Sequence, residues 1–329
     1  MIKLLQIGLG PLGLKTYQYI SEKSTMQTVA AVDIDPSLKG KDLGELCGGS
    51  PTGIKIVNDL EAVSNMSDID AVVLTTSSNM KAIGQQILEI LDYNLPVVST
   101  CEEMSYPWIH DVSITAKIEK KAVEKNVAVV ATGVNPGFLM DTLPSVLTSV
   151  CREVEHIHVS RIQDAQSRRI PFQRKIGAGL TPSQFEDKKA TGTLRHVGLT
   201  ESMHFIASSV GWKLDYTEDV ISPVITEIDI NTPAMKIAAG NAIGVRQVGI
   251  GKYEGEEKVK LVFEAAVGSG TSYDEIKIKG SPDIHSKIEG GVHGDIATCS
   301  IVLNTIPSLL KASPGLKTMR DLSLVSFTP

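Results

Sequence analysis

Met1-Ile-Lys-Leu-Leu-Gln-Ile7 runs without a linker into Gly8-Leu-Gly10-Pro-Leu-Gly13. An amphipathic stretch follows (Leu14, Tyr17, Ile20), and a second apolar run, Val29-Ala-Ala-Val32, ends at Asp33. The order reads as strand, glycine turn, helix, strand, acid. In such a turn Gly8 permits the tight bend, Gly10 lets the backbone approach a pyrophosphate, and Gly13 lets the helix pack closely on the strand. Phosphates would sit at the helix start, Pro11-Leu12-Gly13, where unpaired N–H groups and the helix dipole favour negative charge. Pro11 fits the first helical position, because its missing N–H lies where no intrahelical bond forms. Asp33 stands where a carboxylate grips a ribose 2′-hydroxyl, which favours NAD. Lys39 and Lys41, a few residues on, keep NADP open as the alternative, unless both are simply solvated loop residues.

The chain beyond repeats the alternation of strand and helix. Ile69-Asp-Ala-Val-Val-Leu74 gives way to Thr75-Thr76-Ser77-Ser78-Asn79, which places short hydroxyl donors at the carboxyl edge of a parallel sheet, where open α/β folds bind ligands. A helix carrying Ile83, Ile87, Leu88 and Leu91 leads to a fourth strand, Leu95–Thr100, and a helix over 111–125 leads to a fifth, Val127–Val130. This predicts a doubly wound sheet with right-handed crossovers. Near residue 150 the pattern changes. Runs at 156–162, 220–227, 242–253, 258–267 and 273–279 read as a mainly antiparallel sheet, with Glu254-Gly-Glu-Glu257 as a hairpin turn. A polar loop (164–192) and one helix (about 195–210) lie between them, and Gly294–Leu310 returns to helix. The expectation is an α/β chain: a Rossmann domain over 1–140, an α+β substrate and dimerisation domain over 141–292, and a C-terminal helix over 293–329 crossing back onto the first domain.

Composition narrows the classes. Charged residues are 21% and no apolar run reaches about 18 residues, so no membrane span is expected. A net charge of −6, with no basic cluster larger than Arg168-Arg169 or Lys188-Lys189, argues against nucleic acid. The first residues enter a strand at once, so no signal peptide is expected. The four cysteines, Cys47, Cys101, Cys151 and Cys299, are far apart and match no zinc spacing; the expectation is free thiols in a cytoplasmic protein with no metal.

A nicotinamide site that makes or breaks an O–H or N–H bond needs a proton carrier. Thr100-Cys-Glu-Glu-Met-Ser-Tyr-Pro-Trp108 leaves the carboxyl end of the fourth strand, where the nicotinamide belongs, so Thr100 and Cys101 are expected to touch the cofactor. A carboxylate held among Met104, Tyr106 and Trp108 would lose hydration and gain a pKa suited to proton transfer. The competing reading is that Glu102-Glu103 is a solvated pair at a helix start. His156 and His158 share one face of a strand and offer a second candidate acid, or an exposed pair; His196 is read as opening the helix at about 195, either lining a pocket or capping.

Five stretches together carry a resemblance. Thr100–Trp108, Gly133-Val-Asn-Pro-Gly-Phe-Leu-Met-Asp141, Lys175-Ile-Gly-Ala-Gly-Leu180, His196–Ser202 and Pro314-Gly-Leu-Lys-Thr-Met-Arg-Asp321 resemble the 2,4-diaminopentanoate dehydrogenases and native amine dehydrogenases, a branch of the dihydrodipicolinate reductase-like superfamily. The resemblance spans essentially the whole chain. It implies reversible, nicotinamide-dependent deamination of an amine, with ammonia as co-substrate in reverse. It implies further that Glu102 is the acid/base, with Glu103 one residue away as the alternative. Asn135 and Pro136 would border the nicotinamide, and Thr298 would close a substrate pocket with Val134 and His196. A homodimer formed through the second domain's sheet is also implied. Arg161, Arg168, Arg169, Arg174 and Lys175 either hold a substrate carboxylate or simply solvate the loop; the sequence leaves both readings open. True dihydrodipicolinate reductases carry a His-His pair and a Lys…Pro-Ser-Gly-Thr loop; this chain reads Arg161-Ile-Gln-Asp164 and Arg174-Lys175-Ile-Gly-Ala-Gly instead. Two other classes stay open: an imine or carbonyl reductase that does not use ammonia, and a non-catalytic dinucleotide-binding regulator.

Overall fold

The first strand, β1 (Ile2–Ile7), is buried on both faces, and Leu4 and Leu5 are wholly inaccessible. A strand of that kind needs covering elements above and below, which a parallel sheet acquires from its crossover helices. In this computed structural model, which describes residues 1–329 except Arg169, Arg195 and Ala234, the chain supplies them in order. They are α1 (Pro11–Ser21), β2 (Met26–Val32), α2 (Leu43–Leu46), β3 (Ala71–Leu74), α3 (Met80–Asp92), β4 (Val97–Ser99), α4 (Val112–Glu124) and β5 (Ala128–Ala131). Local signals set their ends. Asn79 and Asp111 cap α3 and α4 by accepting from backbone N–H groups of the first turn, and both helices stop at an asparagine in the left-handed region, Asn94 and Asn126.

The next elements form a second compact unit, Leu139–Val292. It holds α5 (Thr142–Leu147), β6 (Glu153–Asp164), α6 (Ile170–Lys175), α7 (Pro182–Ala190), α8 (Leu199–Ser209) and β7 (Tyr216–Ile225). Then come β8 (Ile230–Asn231), β9 (Lys236–Ile237), β10 (Ala242–Tyr253), β11 (Glu256–Ala266), β12 (Tyr273–Ser281) and β13 (Ile284–Glu289). The large sheet runs β13-β12-β6-β11-β10-β7. It is mixed: β6 and β11 pair in parallel, and the other neighbours are antiparallel. Glu254 and Gly255, both left-handed, make the two-residue turn between β10 and β11. Gly249 lets α8 lie against the sheet, since an added Cβ there would stand 3.0 Å from Leu199. The opposite face carries His156 and His158, with Lys260 and Lys277 beside His158 across the neighbouring strands.

The last segment, α9 (Gly294–Leu309) and β14 (Gly315–Lys317), belongs with Met1–Phe138 as one unit. In that unit β14 pairs with β5, giving a parallel sheet ordered β14-β5-β4-β3-β1-β2, and α9 packs on α1.

Three expectations change. The stretch 164–192, read as a loop, contains α6 and α7, and α7 opens on a reciprocal capping box between Thr181 and Gln184. The helix expected from about 195 begins at Leu199, after left-handed Gly198. The strand β14 was not anticipated, because three residues carry no periodicity; it forms because β5 offers an open edge and Glu119 accepts from the Leu316 N–H.

The loop after β2 is held by one side chain. Asp42 accepts from the N–H groups of Gly44 (2.9 Å), Thr52 (3.0 Å) and Gly53 (2.8 Å), which hold its carboxyl down to about 2, the Thr52 bond foremost. Its contribution is therefore present above the ordinary aspartate pKa of about 3.9 and is lost as pH falls through about 2. Asp42→Ala is expected to lower the melting temperature at pH 7, and thermal scans should show the gap from wild type narrowing between pH 4 and pH 2.

Candidate active site

The glycine turn fits its three residues by contact. Gly8 is left-handed (φ 91°), and an added Cβ would stand 2.8 Å from the Thr75 carbonyl oxygen. At Gly13 the Cβ would fall 2.0 Å from the Gly8 oxygen, so α1 can approach β1 only through glycine. At Gly10 nothing lies within 4 Å. Pro11 occupies the first position of α1, which has no side-chain cap, so the N–H groups at Leu12 and Gly13 face an open cradle. That cradle suits the pyrophosphate of a dinucleotide.

Two side chains support the turn. The Thr75 hydroxyl donates to the Gly8 oxygen (2.7 Å), so it holds the turn rather than extending a donor outward. Gln6, not anticipated from sequence, donates to the Gly13 oxygen (3.2 Å) and accepts from Thr28 (2.9 Å). The Thr76 hydroxyl donates to Gln86 (2.6 Å), and Ser77 accepts from the Asn79 N–H (3.1 Å).

Asp33 accepts from the Leu9 N–H (2.6 Å) and the Asp35 N–H (2.9 Å), one bond to each carboxylate oxygen. It borders a cleft of about 770 Å³ that also takes in Gly8, Gly10, Asp59, Leu60 and Glu61. Asn58 fixes the wall carrying Asp59 and Glu61, donating to the carbonyls of Asp33 (2.7 Å) and Asp35 (3.1 Å). Among the described residues lining this cleft there is no lysine or arginine, and Lys39 and Lys41 lie outside it.

At the carboxyl ends of β4 and β5 the chain builds a second group. Cys101 is buried, and burial pushes its thiol up to about 12, so it is an uncharged, apolar neighbour. Glu102–Ser105 forms a 3-10 turn. The two adjacent carboxylates part here. Glu103 accepts from the Met80 N–H (2.7 Å) and from Asn79 Nδ2 (3.1 Å), closing the N-terminus of α3. Glu102 is half-buried on the same turn, whereas Met104, expected beside a carboxylate, is wholly inside the core with Leu74 and Val97. Tyr106 and Trp108 meet edge to face, 5.1 Å between centroids.

After β5, the turn Thr132–Gly137 contains a cis Asn135–Pro136 bond and left-handed Gly137. The Val134 N–H donates to Thr298 Oγ1 on α9 (3.2 Å), so Val134, Asn135, Pro136 and Thr298 are brought together, and the Thr298 O–H still has its own proton to donate. Thr132 Oγ1 is buried there with no hydrogen-bond partner among the described residues, a feature no sequence signal indicated.

His196 belongs to the other unit. It does not open α8; its ring lies on Phe263 (4.4 Å between centroids, planes 30° apart), and its backbone is clasped by Gln247 through two bonds (2.8 and 3.1 Å). Burial, then the fields of Arg161 and Lys175, lower its pKa to about 3. It is neutral at working pH and carries no proton for acid catalysis. Arg161 is a correction: it is buried in an ion pair with Asp274 (3.0 Å) and donates to the Val292 carbonyl (2.8 Å), so no substrate carboxylate can claim it. Arg168 stacks on Phe172 at 4.2 Å, and Arg169 lies outside the described residues. His156 bonds Glu257 (3.1 Å) and His158 bonds Ser160 (3.1 Å), with burial lowering the His158 pKa.

Comparison with known proteins supplies the chemical context. A family model of the 2,4-diaminopentanoate dehydrogenase C-terminal domain matches residues 138–327, and one of the dihydrodipicolinate reductase N-terminus matches residues 2–102. The 2,4-diaminopentanoate dehydrogenase of Acetoanaerobium sticklandii is 31% identical over 98% of this chain and 93% of its own. An amine dehydrogenase of Streptomyces virginiae is 22% identical over 98% and 97%. The solved amine dehydrogenase from Mycobacterium smegmatis superposes with a TM-score of 0.84 at 20% identity, covering 99% of this chain and 97% of that one.

The two inner glycines separate by experiment. Gly13→Ala is expected to reduce unfolding free energy by roughly 1–3 kcal/mol through overpacking. Gly10→Ala is expected to leave the melting temperature unchanged while weakening dinucleotide binding about 10- to 100-fold, read by titration calorimetry.

Proposed function

The chain belongs to the 2,4-diaminopentanoate dehydrogenase family, and from that premise we propose that it catalyses the reversible, NAD-linked deamination of an amine, using Glu102 as its acid/base. It is an oxidoreductase of the amine-dehydrogenase kind. The observation that carries the assignment of Glu102 is the commitment of its neighbour. Glu103 is engaged by the α3 terminus through two donors, the Met80 N–H and the Asn79 amide, and serves there as a helix-start acceptor. Glu102, half-buried on the same turn, stands on the loop leaving β4 and takes the acid/base role in this reading.

Bound nicotinamide supplies the hydride in reductive amination and accepts it in reverse. The residues expected to hold the cofactor are Gly8, Gly10, Pro11, Leu12 and Gly13 at the pyrophosphate and Asp33 at the ribose. Thr75, Thr76 and Ser77 stand at the edge of β3, and Thr100, Cys101, Asn135 and Pro136 at the nicotinamide end. NAD is favoured over NADP because Asp33, Asp59 and Glu61 line the cleft, and their charge opposes a 2′-phosphate. In the aminating direction the Glu102 carboxylate takes a proton from ammonium, and the ammonia so formed attacks the ketone carbon. Glu102 returns that proton to the hydroxyl of the carbinolamine, which leaves as water. Val134 and Thr298 are assigned to the substrate, Thr298 through its O–H. His196 is assigned as an uncharged contact.

The proposal includes a homodimer formed through the sheet face carrying His156 and His158, which sedimentation would test. It also includes a reducing, cytoplasmic setting, in which Cys47, Cys101, Cys151 and Cys299 stay thiols as they are here. No helix among the described residues is long and apolar enough to cross a membrane.

The test is oxidation of NADH and NADPH with 2-amino-4-oxopentanoate and with simple ketones, each with and without ammonium. Ammonium-dependent oxidation, faster with NADH, is expected; oxidation indifferent to ammonium would make the protein an imine or carbonyl reductase. Glu102→Gln should lower kcat about 100- to 10,000-fold with NADH affinity intact. Glu103→Gln should lower the melting temperature instead; a fully stable but inactive Glu103→Gln would move the assignment by one residue.

A further inference from the structure

The cleft bordered by Asp33 continues past the ribose position, and its lining there is of two kinds. Ile34, 83% exposed, and Leu60, half-buried against the core, supply aliphatic surface. The other lining side chains are polar, and most of those able to donate a hydrogen bond are already engaged. Both hydrogens of the Asn58 amide go to the carbonyls of Asp33 and Asp35, and the Thr75 hydroxyl donates to the Gly8 oxygen. The Thr76 hydroxyl donates to Gln86 Oε1 (2.6 Å). Gln86 Nε2, by contrast, has no acceptor among the described residues, and it lines the cleft. Tyr93 can also donate, but it follows the end of α3, about 10 Å along the helix from Gln86.

The Gln86 amide is held in place from one side. Thr76, which fixes its Oε1, lies against the glycine turn, since a Cβ added at Gly8 would stand 2.9 Å from Thr76 Cγ2. Gln86 is therefore tied through a single side chain to the bend assigned to the dinucleotide. Asp59 and Glu61, also in the lining, can only accept when ionised. A ligand that suits this lining has a flat apolar face, a ring nitrogen to accept from Gln86, and an amino group to donate to a carboxylate. Adenine has that pattern: N1 accepts, and the 6-amino group beside it donates. Hypoxanthine reverses both positions, because its N1 carries a hydrogen and its 6-oxo group accepts.

We propose that Gln86, oriented by Thr76, donates to N1 of the dinucleotide's adenine, so that this residue selects the amino purine over its 6-oxo counterpart. This rests on the dinucleotide-binding reading above and specifies which side chain recognises the base. Thr76 is a positioning residue in this account. Gln85, the preceding residue, is exposed and donates to Glu89 (3.1 Å); it serves as the control.

The experiment measures binding without turnover, titrating NADH and its hypoxanthine analogue, deamino-NADH, by nicotinamide fluorescence. The proteins are wild type, Gln86→Leu, Thr76→Val and Gln85→Leu. Wild type should bind NADH at least about 10-fold more tightly than deamino-NADH, because the analogue leaves a donor facing a donor. Gln86→Leu should weaken NADH binding about 10-fold and deamino-NADH binding by less than about twofold, with the melting temperature unchanged. Thr76→Val should lose part of the preference, and Gln85→Leu should keep all of it. Equal affinity of wild type for the two dinucleotides overturns the proposal, as does a Gln86→Leu protein that weakens on both alike or keeps the wild-type preference. In those cases the dinucleotide-binding reading stands, whereas a wild type that binds neither dinucleotide overturns that reading as well.

Discussion

The approach of α1 to β1 at Gly13 is the constraint on which the dinucleotide-binding unit depends. A single methyl at that position would overlap the Gly8 oxygen. Gly8 in turn holds the bend against the end of β3, where the Thr75 hydroxyl ties it down. The open ground at Gly10 exists because its neighbours are packed this tightly. Gln6 and Thr28 satisfy polar groups beneath the turn that would otherwise be buried without partners. The anion cradle is therefore rigid before any ligand arrives, which reduces the entropy lost on binding.

The same economy of partners separates the two adjacent glutamates. The start of α3 exposes N–H groups that need an acceptor, and Glu103 reaches them from the loop after β4. This couples the β4 loop to the helix after β3, so the turn carrying Glu102 is anchored by its neighbour. Thr298 plays a comparable part after β5, accepting from Val134 and tying the first turns of α9 to the edge of the parallel sheet.

In the other unit the polar interior is organised by pairs. Arg161 and Asp274 join β6 to β12, and both also engage Val292, the last residue of that unit, through its carbonyl and its N–H. Gln247 grips the backbone of His196 in both directions. Such pairs give the residues around Phe263 defined positions on a sheet whose other face is polar.

The doubly wound sheet was legible because its signals are local: apolar runs of strand length, glycine spacing and an acid at the end of β2. The long strands β10 and β12 and the Glu254-Gly255 turn were legible for the same reason. The short elements α6, α7 and β14 were not, since few residues give no period to read and their stability comes from edges and caps found elsewhere in the chain. For the site, the sequence alone determined which residues stand at the carboxyl ends of the strands. Only the tertiary structure decided what each of them is engaged in. Glu103 is claimed by an N–H that lies 23 positions away, and Arg161 by a carboxylate 113 positions away. A side chain's chemistry depends on which partners reach it, and those partners are set by chain packing rather than by neighbours in sequence.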